Sequence, residues 1–217
     1  MVLVNPNTSA ATTRMMTAIA HRALAGTGLR VRGVTVAEGP PVLTDPAALR
    51  AAAPHVVSAA RAAVASGDCA AVIVAAFGDP GLDSARSLPV PVVGIGEAAL
   101  AEAAAGGRRF GIATTTPLLA GALAAHVDRL GLTSAYTGAR FTAGDPQQLA
   151  ARPEPLLAAL TAAARACVAR DGAEAVVIGG GPLGEAAEAL RTRLPVPVVA
   201  PVPAACRRVT QLLAARP

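Results

Sequence analysis

The sequence predicts an α/β fold made of two pseudo-symmetric halves, each a parallel sheet flanked by helices. Short apolar runs alternate with longer helical segments, which is the pattern of parallel βαβ units. The segment Leu88–Val93 (LPVPVV) recurs identically as Leu194–Val199, and the apolar run Ala71–Ala76 before the first copy resembles Ala175–Gly180 before the second. A repeat at about half the chain length indicates an internal duplication. The predicted domains are residues 1–107 and 108–217.

In the first half, continuous apolar runs predict strands that are covered on both faces, and polar turn residues mark the helix starts. Thr8 or Ser9 can cap the first helix, and Asp45 followed by Pro46 begins the second. The predicted elements are strand Val2–Val4, a helix to about Ala25, strand Leu29–Val36, a helix from Asp45 to about Ser66, strand Ala70–Ala76, helix Pro80–Ser87, strand Val90–Ile95 and helix Glu97–Ala105.

The second half repeats this order, with Pro153 and Pro155 predicted to break its longest helical stretch. The predicted elements are strand Arg109–Thr114, helix Pro117–Leu130, strand Tyr136–Phe141, helical residues from about Asp145 to Arg170, strand Ala175–Gly179, helix Gly184–Arg193, strand Val196–Val202 and helix Ala204–Ala214.

The composition excludes several classes of chemistry. No lysine occurs, so neither a Schiff base nor a pyridoxal phosphate anchor is available. The three cysteines show no CxxC spacing, which argues against disulfides and a zinc site, so we expect no metal. Arginines are scattered without aromatic platforms, which argues against nucleic-acid binding. No signal peptide or apolar run long enough for a membrane helix is visible, so we expect a cytoplasmic protein.

Polar and glycine-rich loops follow the strands in both halves. Ligands of parallel α/β sheets bind at the carboxyl ends of the strands, so we expect the active-site cleft between the two halves, lined by these loops. Hydroxyls and helix-terminal amides suit an anion, and glycines let backbone amides approach it. The predicted substrate-binding residues are Asn7, Thr8, Ser9, Ala76, Phe77, Gly78, Thr114, Thr115, Gly180 and Gly181.

Two carboxylates in these loops, Asp79 and Glu185, are the candidate catalytic acids or bases. Each has a structural alternative. Asp79 can cap a helix that has Pro80 at its first position. Glu185 and Glu97, near helix starts, can interact with the helix dipole. The loops have alternatives as well, since Thr8 or Ser9 can act only as a cap and the glycines can form a plain turn.

These loops resemble the aspartate/glutamate/hydantoin racemase superfamily, most closely its hydantoin/allantoin branch. The resemblance rests on Val4–Ser9 (VNPNTS), Ala75–Leu82 (AAFGDPGL) and Pro91–Ala98 (PVVGIGEA), and it covers nearly the whole chain. It implies a cofactor-independent enzyme in which two cysteines flank the stereocentre of the substrate. One thiolate removes a proton and the other thiol returns one to the opposite face. The resemblance also implies a homo-oligomer.

The chain departs from the family at both cysteine positions, where Ala76 and Gly180 stand. Neither residue can move a proton, so two-cysteine racemisation is not expected. The leading hypothesis is a racemase-like isomerase with a non-standard mechanism, acting on a small carboxylate, an amino acid derivative or a hydantoin-type cyclic ureide through an enolate-like intermediate. The alternatives are an inactive homologue that binds a small carboxylate, a decarboxylase or lyase on the same scaffold, and a structural domain without a ligand.

Overall fold

Each half of the chain forms a sheet of four parallel strands, with the same strand order in both. The computed structural model describes residues 1–215. The first sheet has the order β2-β1-β3-β4 and the second has the order β6-β5-β7-β8, and every pair of neighbouring strands is parallel. The predicted fold class is therefore confirmed, because two equivalent α/β sheets are present.

The first sheet consists of β1 (Val2–Asn5), β2 (Arg32–Thr35), β3 (Val72–Val74) and β4 (Val92–Gly94). The central strands β1 and β3 are fully buried, as their continuous apolar composition predicts. Their connections include α1 (Ala10–Ala23), α2 (Pro46–Ala65) and the short α3 (Leu82–Ala85), and α4 (Ile95–Ala103) follows β4. Apolar side chains of the strands pack on α2, where the buried members include Val56 and Ala60.

The second sheet consists of β5 (Phe110–Thr114), β6 (Tyr136–Phe141), β7 (Ala175–Ile178) and β8 (Val198–Val199). Its helices are α5 (Ala120–Arg129), α6 (Pro146–Ala150), α7 (Pro153–Ala169) and α8 (Gly184–Leu190). The core of this sheet packs on α7 through residues that include Leu160 and Cys167. The final helix is α9 (Pro201–Ala214).

By the contacts within the chain, two compact units are present. Unit 1 is Met1–Ala98 with the chain from Val202 onward, and unit 2 is Ala99–Pro201. The unit boundaries fall within α4 and at the first turn of α9. The division of the sequence at residues 107 and 108 marks the repeat and stays a prediction.

Several predicted element bounds differ from the structure because of proline. The predicted helix Asp145–Arg170 is two helices, α6 and α7, and α7 begins at Pro153, so the predicted break is confirmed. The predicted strand Val196–Val202 is reduced to Val198–Val199. Pro195 and Pro197 have no amide hydrogen for the ladder, which shortens this strand. Pro201 and Pro203 fit the first turn of a helix, so α9 begins before Ala204.

In the described part of the chain, no helix combines the length and the apolar character that a membrane crossing needs.

Candidate functional site

The loop after β1 is organised by the buried side chain of Asn5, which is 1% exposed. Its amide nitrogen Nδ2 donates to Asn7 Oδ1 at 2.8 Å, to the Ser9 carbonyl at 3.1 Å and to Thr13 Oγ1 at 3.0 Å. Its Oδ1 accepts from the Asn7 amide at 3.2 Å. One side chain thus fixes the whole turn between β1 and α1, including the predicted binding residues Asn7 and Ser9.

Ser9, rather than Thr8, is the cap of α1. Its hydroxyl accepts from the Thr12 amide at 3.2 Å. The Thr8 amide donates to the Pro40 carbonyl at 3.3 Å, which attaches this turn to the loop after β2. Asn7, Thr8 and Ser9 are all partly exposed at the carboxyl edge of the sheet.

The turn after β3 carries Ala76, Phe77, Gly78 and Asp79. Ala76 and Gly78 are partly exposed, whereas Phe77 is buried. The Asp79 amide donates to the Ala76 carbonyl at 3.0 Å and closes the turn. Asp79 has a φ of 49°, which is the left-handed region and is strained for a residue with a side chain.

The Asp79 carboxylate binds the start of α4. It accepts hydrogen bonds from the amides of Gly96 at 2.8 Å and Glu97 at 2.7 Å. Asp79 was expected to cap the helix that begins near Pro80, and this expectation is wrong. That helix, α3, begins after Gly81 and has no side-chain cap. The carboxylate instead satisfies amides that every helix N-terminus leaves unpaired.

Glu97 takes part in the same arrangement. Its carboxylate accepts from the Gly94 amide at 3.2 Å, the reciprocal bond of a capping box, and forms an ion pair with Arg86. Glu185, the other carboxylate near a helix start, lies in the first turn of α8 and is exposed. The roles of Asp79 and Glu185 as acids or bases stay predictions.

In unit 2, threonine hydroxyls stand at the carboxyl ends of β5 and β6. Thr114 and Thr115 are 1% and 9% exposed. The Thr114 hydroxyl donates to the Gly179 carbonyl, and it lies 3.5 Å from the Thr116 hydroxyl. The Thr142 amide donates to the Thr114 carbonyl at 2.9 Å. We call Thr114, Thr115, Thr116 and Thr142 the hydroxyl cluster.

The glycine turn after β7 lies beside this cluster. The Gly179 amide donates to the Ala113 carbonyl at 2.9 Å, and the Gly180 amide to the Ile178 carbonyl at 3.0 Å. Both amides are therefore engaged within the chain, although the sequence suggested that such glycines would offer free donors. Gly180 is partly exposed and Gly181 is buried. With a φ of 165°, Gly180 is extended, a conformation that any residue can adopt.

The two turns that carry Ala76 and Gly180 are built alike. Each residue comes two positions after its strand, β3 or β7. The preceding residue donates its amide to the neighbouring strand in both units, Ala75 to the Val4 carbonyl and Gly179 to the Ala113 carbonyl. The amide three residues later then closes the turn, from Asp79 to the Ala76 carbonyl and from Leu183 to the Gly180 carbonyl. Ala76 and Gly180 are thus structurally equivalent, and both are partly exposed.

The cysteines of the chain all lie in buried positions. Cys69, in the connection before β3, Cys167 in α7 and Cys206 in α9 are buried free thiols. Burial raises the pKa of Cys167 to about 11 and that of Cys206 to about 12. Because the thiolate is the reactive form, these groups are protonated and unreactive near neutral pH.

Among the described residues, no cluster of three or more His, Cys, Asp or Glu side chains could hold a metal ion.

Residues 1–209 match the profile of the Asp/Glu/Hydantoin racemase family. The chain belongs to this family. It is 30% identical to the hydantoin racemase of Paenarthrobacter aurescens over 99% of this chain and 91% of that one. The allantoin racemase from Klebsiella pneumoniae superposes with a TM-score of 0.91 at 30% identity, over 98% of this chain and 86% of that one. These relatives confirm the resemblance to the hydantoin/allantoin branch.

The racemase-family fold is shared with an enzyme of another activity. Arylmalonate decarboxylase superposes with a TM-score of 0.70 over 100% of this chain and 93% of that one, at 21% identity. At that identity the likeness shows a common fold alone.

Sequence reasoning missed three residues that shape these turns. Asn5 was assigned to a polar loop, but its burial and its several hydrogen bonds depend on the folded turn. Thr142 directly follows β6, as Thr115 directly follows β5, and this equivalent position could have identified it from the sequence. Leu183 is the structural equivalent of Asp79, three residues after Gly180 as Asp79 is three after Ala76. The repeat offset of 104 residues, applied to Asp79, would have found Leu183.

Proposed function

We propose that this racemase-family protein is a cofactor-independent enzyme that acts on a small carboxylate, an amino acid derivative or a hydantoin-type ring. The reaction passes through an enolate-like intermediate. The sequence likeness to hydantoin racemase and the close structural likeness to allantoin racemase support a cyclic ureide as the first substrate to test. Both relatives span nearly the whole chain, which supports a shared substrate class.

The observation that carries this proposal is the equivalence of the turns at Ala76 and Gly180. Both positions are partly exposed at the carboxyl ends of the third strands, and the family resemblance assigns the two proton-transferring cysteines to them. Neither residue has a titratable group. The three cysteines that the chain does contain are buried, so no thiol is available as a substitute. Proton transfer therefore proceeds by groups other than thiols.

The polar turns supply the binding contacts in this proposal. The loop that Asn5 fixes presents Asn7, Thr8 and Ser9 to a polar group of the substrate. The other proposed binding contacts come from Phe77 and Gly78, which follow position 76, and from Thr114, Thr115 and Gly181 in the second unit. Hydrogen-bond donors aimed at a developing enolate oxygen stabilise it in the transition state.

Asp79 and Glu185 are the proposed acid or base groups. A carboxylate has about four lone-pair sites, so Asp79 can accept two amide bonds and still receive a proton. Glu185 is exposed in the first turn of α8. Replacing each carboxylate by its amide, in Asp79→Asn and Glu185→Gln, would show which of them moves a proton.

Two further functions fit the same scaffold. A decarboxylase on the same scaffold would release CO₂ from the bound acid and protonate the resulting enolate on one face, using the same enolate-stabilising turns. Arylmalonate decarboxylase, which has a similar fold, supports this alternative. A non-catalytic protein that binds a small acid would need only the polar turns. The missing thiols favour both over standard racemisation.

The direct test is proton exchange at the acidic carbon. Purified protein is incubated with L-5-methylhydantoin in D₂O, and the loss of the C5 proton is followed by NMR against a protein-free sample, because hydantoins exchange slowly unaided. Exchange above that background, lost in an amide variant, supports the enzyme. If no hydantoin, amino acid or carboxylate shows exchange or decarboxylation while one of them raises the melting temperature, the protein is a binder. If none is bound, the proposed function is wrong.

A second experiment tests the assignment of positions 76 and 180. The double variant Ala76→Cys/Gly180→Cys should gain racemase activity on 5-methylhydantoin. A side chain at position 180 would bring its Cβ to 2.9 Å from Leu183 Cδ1 and 3.0 Å from Cγ. Leu183 must therefore rotate, and Gly180→Ala serves as the steric control. Matched variants with serine at both positions should stay inactive. A folded, ligand-binding double-cysteine variant without activity would contradict the assignment.

We also propose a homo-oligomer, on the family resemblance, and domains that follow the repeat. Sedimentation velocity over a range of protein concentrations tests the assembly.

A further inference from the structure

The hydroxyl of Thr142 is buried without a hydrogen-bond partner. Thr142 is 6% exposed, and its Oγ1 is the sole buried side-chain oxygen or nitrogen in the described residues that has none. A buried polar group left unpaired costs on the order of 1–3 kcal/mol, so such groups are rare in folded proteins. The fold therefore tolerates a destabilising group at this point.

The fold itself does not require a hydroxyl here. The equivalent residue in unit 1 is Val36, whose amide donates to the Asn5 carbonyl as that of Thr142 donates to the Thr114 carbonyl. Val36 is buried at 3% exposure in the apolar core. Valine has the same branched shape as threonine, so a valine at position 142 would meet the same backbone requirement without an unpaired group.

Two other hydroxyls at this end of the sheet, those of Thr114 and Thr116, already donate their protons within the chain. Thr114 donates its proton to the Gly179 carbonyl. Since a hydroxyl has one proton, the contact between Thr114 and Thr116 at 3.5 Å then leaves Thr116 as the donor. The Thr142 hydroxyl differs from both, because it has no acceptor within the described chain. It also stands at the carboxyl end of its strand, where ligands of parallel sheets bind.

We propose that the Thr142 hydroxyl is a ligand-binding group that donates to an oxygen of the small acid or cyclic ureide bound in unit 2. The inference rests on the proposed function and adds to it a binding residue whose polar group is unsatisfied until the ligand arrives. A carboxylate oxygen or a ring carbonyl oxygen provides the acceptor.

The test compares threonine with its isostere. Binding of 5-methylhydantoin and of its open-chain acid, N-carbamoylalanine, is measured by calorimetry for the wild-type chain, Thr142→Val, Thr142→Ser and Thr142→Ala. Thr161→Val is the matched control, because the Thr161 hydroxyl bonds to the Leu157 carbonyl of its own helix at 2.6 Å. Melting temperatures establish that each variant is folded.

We expect Thr142→Val to keep or raise the melting temperature and to weaken binding about tenfold, or about 1.4 kcal/mol. Thr142→Ser should bind like wild type, Thr142→Ala should bind as weakly as the valine variant, and Thr161→Val should leave binding unchanged. If wild type binds a probe and Thr142→Val binds it equally well, the hydroxyl is satisfied by water or not at all and the inference alone is overturned. Equal weakening by Thr161→Val also overturns it. If neither probe binds wild type, the inference fails, and with it the cyclic ureide and its open-chain acid as substrates in the proposed function.

Discussion

The carboxyl group of Asp79 fills the space that a side chain on Gly94 would occupy. A Cβ built at Gly94 would overlap the Asp79 carboxyl atoms, so this carboxylate can reach the amides of Gly96 and Glu97 only because position 94 is glycine. Asp79 holds the turn after β3 to the start of α4, and Gly94 makes this possible.

Gly94→Ala should lower the free energy of unfolding by about 1–3 kcal/mol, because the added methyl displaces the buried carboxylate from its amide donors. Urea denaturation measures the change. Gly121→Ala in α5 is the control, since a Cβ there meets nothing within 4 Å. That variant should gain about 0.5–1 kcal/mol from helix propensity.

The contact between Asp79 and Gly94 also predicts that the effects of substituting the two residues on the free energy of unfolding do not add. In an Asp79→Ala background, Gly94→Ala should cost at most a few tenths of a kcal/mol, since the group it would displace is gone. If Gly94→Ala were as costly in this background as in the wild type, its effect would have a source other than Asp79.

Asn5→Asp should destabilise the chain by about 3 kcal/mol, because it removes the donor for three hydrogen bonds and places a carboxylate among acceptors. Ser9→Ala removes the cap of α1 and the contact with the Thr12 hydroxyl, and it should cost about 1 kcal/mol. Urea denaturation at neutral pH ranks the two. A smaller cost for Asn5→Asp than for Ser9→Ala would refute the central role of Asn5 in this loop.

The native thiols should resist modification. Because Cys69, Cys167 and Cys206 are buried, we expect DTNB at pH 8 to react with less than one thiol per native chain, and with all three after unfolding in guanidinium. Any exchange or decarboxylase activity should survive iodoacetamide. In the Ala76→Cys variant a new reactive thiol should appear, because position 76 is partly exposed. Rapid reaction of wild type would contradict the described burial.

The Arg140–Asp171 pair should make stability pH dependent in acid. The hydrogen bond from Arg140 lowers the pKa of Asp171 below its ordinary value of 3.8. The charged Asp171 side chain stabilises the fold fully at pH values above its unfolded-state pKa. This stabilisation is lost as the pH falls through its lower, folded-state pKa. Asp171→Asn should therefore be less stable than wild type at pH 6 and converge with it in acid, once the pH falls below the depressed folded-state pKa of Asp171.

Thermal unfolding from pH 2 to 7 measures this convergence. The control is Glu188→Gln, which removes an exposed ion pair with Arg191 and should change little at any pH. A constant difference between Asp171→Asn and wild type across the whole range would mean that the Asp171 charge is not responsible.

Most of the fold could be predicted from the sequence because its signals are local. The buried strands are continuous apolar runs, and Asp45–Pro46 marks the start of α2. The repeat of LPVPVV indicated two similar halves, and the matching strand orders agree with it. The predicted element bounds were wrong where proline has two opposite effects. It shortens β8, because it has no amide hydrogen to donate, and it is favourable in the first turn of α9.

The site was less predictable because its decisive contacts join residues far apart in the chain. Asp79 caps a helix whose amides lie 17 and 18 residues later, not the helix that follows it directly. The unpaired state of Thr142 depends on what surrounds its hydroxyl in the folded chain. The local sequence pattern located the polar turns after the strands. It could not show which donors and acceptors in those turns form hydrogen bonds within the chain.

The extended backbone at Gly180 has an evolutionary consequence. Since the main chain there accepts any amino acid and the nearest obstacle is the rotatable end of Leu183, a reactive group can be gained or lost at this point without rebuilding the turn. One ancestral architecture can thus diversify its chemistry by point mutation, while the framework that presents the position is inherited intact.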